Sequence, residues 1–124
     1  MEARIEEAAK KVIGAAIEVH RQLGPGYLES VYEEALAVEL TLRGIPFARQ
    51  VGFALDYKGH KIGEGRMDLL VDSCLVVELK AVEELAPIHT AQTISYLKAT
   101  KHRLALLINF NVPVLKAGIK RIAL

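Results

Sequence analysis

Residues 61–80 read Lys-Ile-Gly-Glu-Gly-Arg-Met-Asp-Leu-Leu-Val-Asp-Ser-Cys-Leu-Val-Val-Glu-Leu-Lys, and how this stretch folds back on itself decides the rest. Leu75 to Lys80 is rich in β-branched residues and reads as a strand, residues 61–71 read as another, and Asp72-Ser73 begins the turn between them. Residues i and i+2 of a strand share a side, so Glu78 and Lys80 project together while Leu79 points the opposite way. Whether Asp68 joins them depends on the loop. A two-residue turn between Val71 and Cys74 would pair Asp68 with Val77, on the other face from Glu78. An odd loop, for instance Asp72-Ser73-Cys74 pairing Val71 with Leu75, or a bulge brings Asp68 to the side of Glu78. The apolar pattern favours the odd loop, because it groups Asp68 and Leu70 with Val76, Glu78 and Lys80. The expectation is a hairpin slipped by one residue, with both carboxylates on one face.

Two carboxylates converging on one spot repel each other unless a cation joins them. Asp68 and Glu78 are therefore a candidate seat for a hard divalent ion with oxygen ligands. Lys80 beside them could hold or help deprotonate a water, or balance charge on a phosphoryl group. The plainer reading of a lone Glu-x-Lys triplet is a solvated strand face.

Outward from this hairpin the grammar is simple. Residues 3–22 read as an amphipathic helix with Ile5, Ala9, Val12, Ala16, Val19 and Leu23 in a stripe that Ile13 and Ile17 widen. Gly24-Pro25-Gly26 stops it. A second helix, roughly 28–43, carries Leu28, Val31, Ala35, Val38 and Leu42 on one face and ends at Gly44 and Pro46. Residues 47–57 read as a strand joined to 61–71 through Lys58-Gly59-His60. Pro87 opens a third helix, about 88–101, with Ile88, Ala91, Ser95 and Ala99 expected on its packing side. Leu104 to Phe110 is a short apolar run expected to be a strand covered on both faces. Residues 117–124 are a candidate last strand. The order α-α-β-β-β-α-β, with that last strand added, points to an α/β fold with a mixed sheet flanked by helices.

Two further groups of side chains carry chemistry. Gln92 and Tyr96 are neighbours on one helical face, with His89 a turn earlier. An amide and a phenol can donate to phosphate oxygens, and the ring can stack on a base. A half-buried core aromatic is the plainer reading of Tyr96, and a helix-start surface residue that of His89. At the start of the second helix, in Gly26-Tyr27-Leu28-Glu29-Ser30-Val31-Tyr32, the carboxylate of Glu29 suits the helix dipole. Glu29, Tyr32 and Glu33 share a face and could line a cleft.

Composition narrows the class. The 124 residues are 52% apolar and 25% charged, which suits one globular domain spanning 1–124. Sixteen Lys and Arg against fifteen Asp and Glu leave a net charge of +1, so there is no polycationic coat, though a local basic groove remains compatible. A single cysteine, Cys74, makes neither an intrachain disulfide nor a multi-cysteine zinc site. No run approaches the roughly 20 apolar residues that cross a bilayer. The charged, alanine-rich start shows no apolar signal core, so a cytoplasmic location is expected.

Taken together, these features resemble the PD-(D/E)XK nuclease superfamily, and within it the small GxxExxY family. Gly26, Glu29 and Tyr32 match the naming motif. Asp68 with Glu78-Leu79-Lys80 matches the metal motif, and Gln92 with Tyr96 looks like the extra helical motif of the RecB-like branch. The resemblance covers nearly the whole chain, since the restriction-endonuclease-like α-β-β-β-α-β core fits residues 28–110 behind an extra N-terminal helix. One departure is Met67, where the family has a proline before the aspartate.

The resemblance implies a nuclease dependent on magnesium or manganese. It implies Asp68, Glu78 and the backbone carbonyl of Leu79 as metal ligands, with Glu29 joining directly or through water, and Lys80 orienting the attacking water. It implies that Gln92 and Tyr96 contact the substrate backbone or support Lys80; His89 and Tyr32, on the faces read above, are the further candidate substrate contacts. Nucleic acid is the expected partner, DNA before RNA, with no membrane. A homodimer is compatible with the small size, and the C-terminal Gly118 to Leu124 is a candidate pairing edge. The contrasting expectation is an inactive module of the same fold that binds nucleic acid or a protein, with Lys98, Lys101, His102 and Arg103 as its basic patch. A hydrolase of small phosphate esters is a third.

Overall fold

Leu104–Asn109 is buried at every position, and the sheet is assembled around it. The computed structural model describes residues 1–124. Its elements are α1 (Ala3–Leu23), α2 (Glu29–Leu42), β1 (Phe47–Tyr57), β2 (His60–Val71), β3 (Leu75–Lys80), α3 (Pro87–Thr100), β4 (Leu104–Asn109), a 3-10 turn (Leu115–Gly118) and β5 (Ile119–Ala123). The five strands lie in sequence order. Only β3 and β4 run parallel, with α3 as their crossover; the other pairs are antiparallel. The expected mixed sheet flanked by helices is what the chain forms.

The two faces are covered differently. α1 and α2 pack with Leu69, Val71, Leu75, Val77, Leu79, Leu104, Leu106 and Ile108 in the larger core. α3 covers the other face through Leu97, against Val76, Ala105, Leu107 and Ile122. A strand buried from both sides must be apolar at every position, which explains the unbroken run in β4.

Two helices turn faces other than those expected. α2 sends Tyr32, Leu36, Ala37 and Leu40 inward, whereas Leu28, Val38 and Leu42 are 76%, 57% and 76% exposed. The sequence carries two apolar stripes there, and periodicity alone does not rank them. The inner stripe wins because Tyr32 stacks on Phe110 at 4.6 Å. α3 buries Thr93 and Leu97, while Ile88 is 68% exposed and Ala91, Ser95 and Ala99 face solvent. Thr93 tolerates burial because its hydroxyl donates to the carbonyl of His89 in its own helix, at 2.9 Å.

Tyr32 does not line a cleft, which corrects the expectation of substrate contact. It is fully buried, its hydroxyl donates to the Gly24 carbonyl at 2.6 Å, and it accepts the Tyr27 N–H at 3.2 Å. Gly26, at φ 108°, supplies a backbone conformation that side chains resist. The Gly26–Tyr32 pair therefore shapes the α1–α2 turn and sets where α2 begins, and with it Glu29. Tyr32→Phe should lower stability by about 1–2 kcal/mol in urea denaturation, the usual cost of stranding buried partners, while leaving the Tyr32–Phe110 stacking in place.

Candidate metal-binding site

β2 and β3 meet through the slipped register: Val71 pairs with Leu75, Leu70 with Val76 and Leu69 with Val77. Asp72 and Ser73 both adopt positive φ (50° and 55°), and the Cys74 N–H returns to the Val71 carbonyl, giving the odd loop. Arg4 clamps this loop, with Nε on Asp72 Oδ2 at 3.1 Å and a second nitrogen on its carbonyl at 2.7 Å. Asp68 consequently stands across from Glu78.

Beyond Leu69 and Val77 the ladder opens into a fork, and carboxylates replace backbone acceptors. The Asp68 N–H donates to Glu78 Oε2 at 2.7 Å, and the Leu79 N–H donates to Asp68 Oδ2 at 2.8 Å. Each acid is thus fixed by one oxygen. β2 also rolls over here: Leu69 faces the α1–α2 core, yet Met67, two residues earlier, packs on the α3 side with Val51 and Phe53. Gln50, opposite Asp68 by the flanking register, takes φ 50° where the roll occurs.

Burial sets the electrostatics. Glu78 is 4% exposed, and loss of water, then repulsion from Asp68, pushes its carboxyl up to about 8. Asp68 is raised as well, chiefly by burial, against the opposing effects of the Leu79 N–H and Lys80. Glu29, at the first turn of α2, is raised by desolvation and coupled to Lys80 and Asp68 across the cleft. The Tyr96 phenol is raised by burial and then by Glu78 and Asp68, so the helical tyrosine faces the acids. Its ring meets Phe53 edge-on at 5.0 Å.

A cleft of about 590 Å³ runs from Glu29, Ser30, Glu33 and Glu34 past Arg49 and Gln50 to Asp68. A hollow of about 720 Å³ shares Gln50 and reaches Gly52, Glu64, Gly65, Arg66 and Tyr96. The fork therefore lies along an open groove. No three acidic, histidine or cysteine side chains gather into a ready cage. Asp68 and Glu78 come together, and Glu29 stays across the cleft from them.

The remaining expected residues divide. Gln92 is exposed one turn from Tyr96. His89 is occupied at the start of α3, where its Nδ1 accepts the Ala86 N–H at 3.0 Å, so its part is to cap the helix. Lys98, Lys101 and Arg103 are exposed around the end of α3, with His102 half-buried and its imidazole lowered by desolvation.

Sequence reading missed Gln50, Arg49 and Asn109. Gln50 donates to Glu33 Oε1 at 2.6 Å, and Arg49 binds Glu33 and Glu34 at 2.9 and 2.8 Å. The β1–β2 register near the turn pairs Asp56 with Lys61, but beyond a bulge it pairs Leu55 with Gly63. Without that bulge Arg49 would stand opposite Asp68. Asn109 is buried; its amide accepts the Val82 N–H and donates to the Val82 carbonyl, which anchors the chain leaving Lys80. The Phe110 N–H adds a bond to the Lys80 carbonyl at 2.9 Å.

The donor set fits a hard divalent cation. Buried Glu78 and half-buried Asp68 share one spot, each has an oxygen not taken by a backbone N–H, and no arginine or lysine forms an ion pair with either. The Leu79 carbonyl belongs to the same strand end. A family model of the PD-(D/E)XK nuclease superfamily matches residues 6–122, and the chain belongs to that superfamily. Nucleases of this superfamily generally use divalent metal ions. No curated protein and no solved structure matches the chain.

The raised Glu78 carboxyl has a thermodynamic consequence. Between pH 4.5 and about 8 the folded chain keeps a proton that the unfolded chain has lost. Stability therefore falls as pH rises through that window, and below it the penalty vanishes. Without added metal, Glu78→Gln should exceed the wild type in unfolding free energy at pH 8 by an amount on the order of a few kcal/mol, and the two should converge at pH 4.5. A wild type that gains stability relative to Glu78→Gln as pH rises would contradict this electrostatic picture.

Proposed function

We propose that the chain is a metal-dependent nuclease that hydrolyses phosphodiester bonds, DNA in preference to RNA, with magnesium or manganese at the fork. The observation that carries the reading is the cross-bonded pair of half-buried Asp68 and buried Glu78, neither in an ion pair, beside an open groove. Asp68, Glu78 and the Leu79 carbonyl would hold the ion, and Glu29 would add its oxygens from the opposite wall. When bound, such an ion supplies a water of lowered pKa and polarises a phosphoryl oxygen.

The protein's own groups do the positioning. Lys80 shares the face of Glu78, and its ammonium feels Asp68, Glu78 and Glu29 without forming an ion pair with any of them. It is therefore available to orient the attacking water and to meet charge developing on the phosphoryl oxygens. Tyr96, in the lining of the groove, and Gln92, one turn away, would donate to the backbone of a bound strand, and Arg66 in the same lining would add a cation. Fixing each carboxylate through a backbone N–H limits the rotation that would blur this geometry.

The Gly26, Glu29 and Tyr32 signature supports membership of the GxxExxY family, with Glu29 as its chemical residue and the other two as its scaffold. Gln92 and Tyr96 on one face of α3 support the RecB-like branch. No helix is long and apolar enough to cross a membrane; a cytoplasmic setting and a single domain over 1–124 complete the proposal.

Purified protein should cleave single- or double-stranded DNA in Mn²⁺ or Mg²⁺ and lose that activity with EDTA. Asp68→Asn, Glu78→Gln and Lys80→Ala should each lower the rate by at least about 100-fold, with the melting curve showing a folded protein. Cleavage that persists in Asp68→Asn, or that survives EDTA, would overturn the reading.

A further inference from the structure

The stripe that α2 turns away from the core is itself ordered. Leu28, Val31, Ala35, Val38 and Leu42 recur at alternating steps of three and four, the 3.5-residue period of a helix that packs along another helix. Ala35 is half-buried, and the four larger residues are 37–76% exposed. A strip of this length reaches the roughly 300–600 Å² at which an exposed apolar patch usually has a use.

We propose that α2 is a self-association helix, pairing antiparallel with α2 of a second copy of this chain. The series Leu-Val-Ala-Val-Leu reads the same from both ends. An antiparallel pair centred on Ala35 sets Leu28 level with Leu42 and brings Val31 within one residue of the level of Val38, with the smallest residue at the twofold axis, where the helices come closest. Charge favours the same direction. In a parallel pair, Glu34 of one copy would lie beside Glu39 of the other along both flanks. In the antiparallel pair, Glu34 meets Glu34 of the partner copy, and each already has its own Arg49 at 2.8 Å. Glu39 is likewise held by Arg43 at 2.7 Å. Opposed helix dipoles add to this preference.

The stripe is a single short helix face, so the seam belongs at or below the low end of specific interfaces, about 1,200 Å² for both copies together. The dimer is therefore concentration-dependent. Because α2 also carries Glu29 and Glu33, the pairing would hold two clefts in fixed relation across the seam.

Sedimentation of the full chain from low micromolar to near-millimolar concentration should shift from monomer to dimer. Leu42→Glu and Val38→Glu should each raise the dimer Kd by at least about tenfold, as burying a charge in an apolar seam requires. Both sites are exposed, so the variants should melt like the wild type. In a Cys74→Ser background, mixing Leu28→Cys with Leu42→Cys should give a disulfide between the two chains and none within either sample alone. A monomer at every concentration, or a dimer unaffected by both glutamates, would overturn the seam, the latter pointing to the β5 edge. Self-linked Leu28→Cys would overturn the antiparallel direction. This test is independent of nucleic-acid cleavage.

Discussion

Two hydrogen bonds across a strand fork organise this protein: the Asp68 N–H to Glu78 and the Leu79 N–H to Asp68. Sheet strands normally satisfy each other through backbone carbonyls. Where β2 rolls away from β3, the side-chain carboxylates take over as acceptors. The fork therefore stays hydrogen-bonded while Glu78 is drawn out of water and Asp68 is left half-buried at the wall of the cleft. Structural continuity and electrostatic tension come from the same atoms.

The rest of the fold serves that fork. Arg4 and the positive-φ pair Asp72 and Ser73 fix the odd loop, which fixes the face of Asp68. Parallel pairing with β4 keeps Leu79 in the apolar core, so Glu78 and Lys80 must point to the other side. Asn109 ties down the chain immediately after Lys80. Tyr32 locks the turn from which α2 starts, which places Glu29 on the opposite wall.

Much of this was legible in the residues. Strand alternation and the position of Asp68 required a slipped hairpin, and Val71 does pair with Leu75. The parts that were not legible have physical causes. α2 has apolar residues on two sides, and only the stacking partner Phe110 decides which side turns in. α3 buries a threonine that satisfies itself within the helix, so its packing face does not look apolar. Gln50 reaches the site through a bulge between Leu55 and Asp56 that no local residue demands. Tyr32 sits in a motif beside a candidate ligand, yet its hydroxyl is spent on the backbone.

The most direct measurement is Mn²⁺ binding followed by electron paramagnetic resonance, which reads the ion without any choice of substrate. The account predicts one site on the wild type, lost in both Asp68→Asn and Glu78→Gln, and retained but weakened in Glu29→Gln. Binding that is unchanged when either fork acid is neutralised would contradict it.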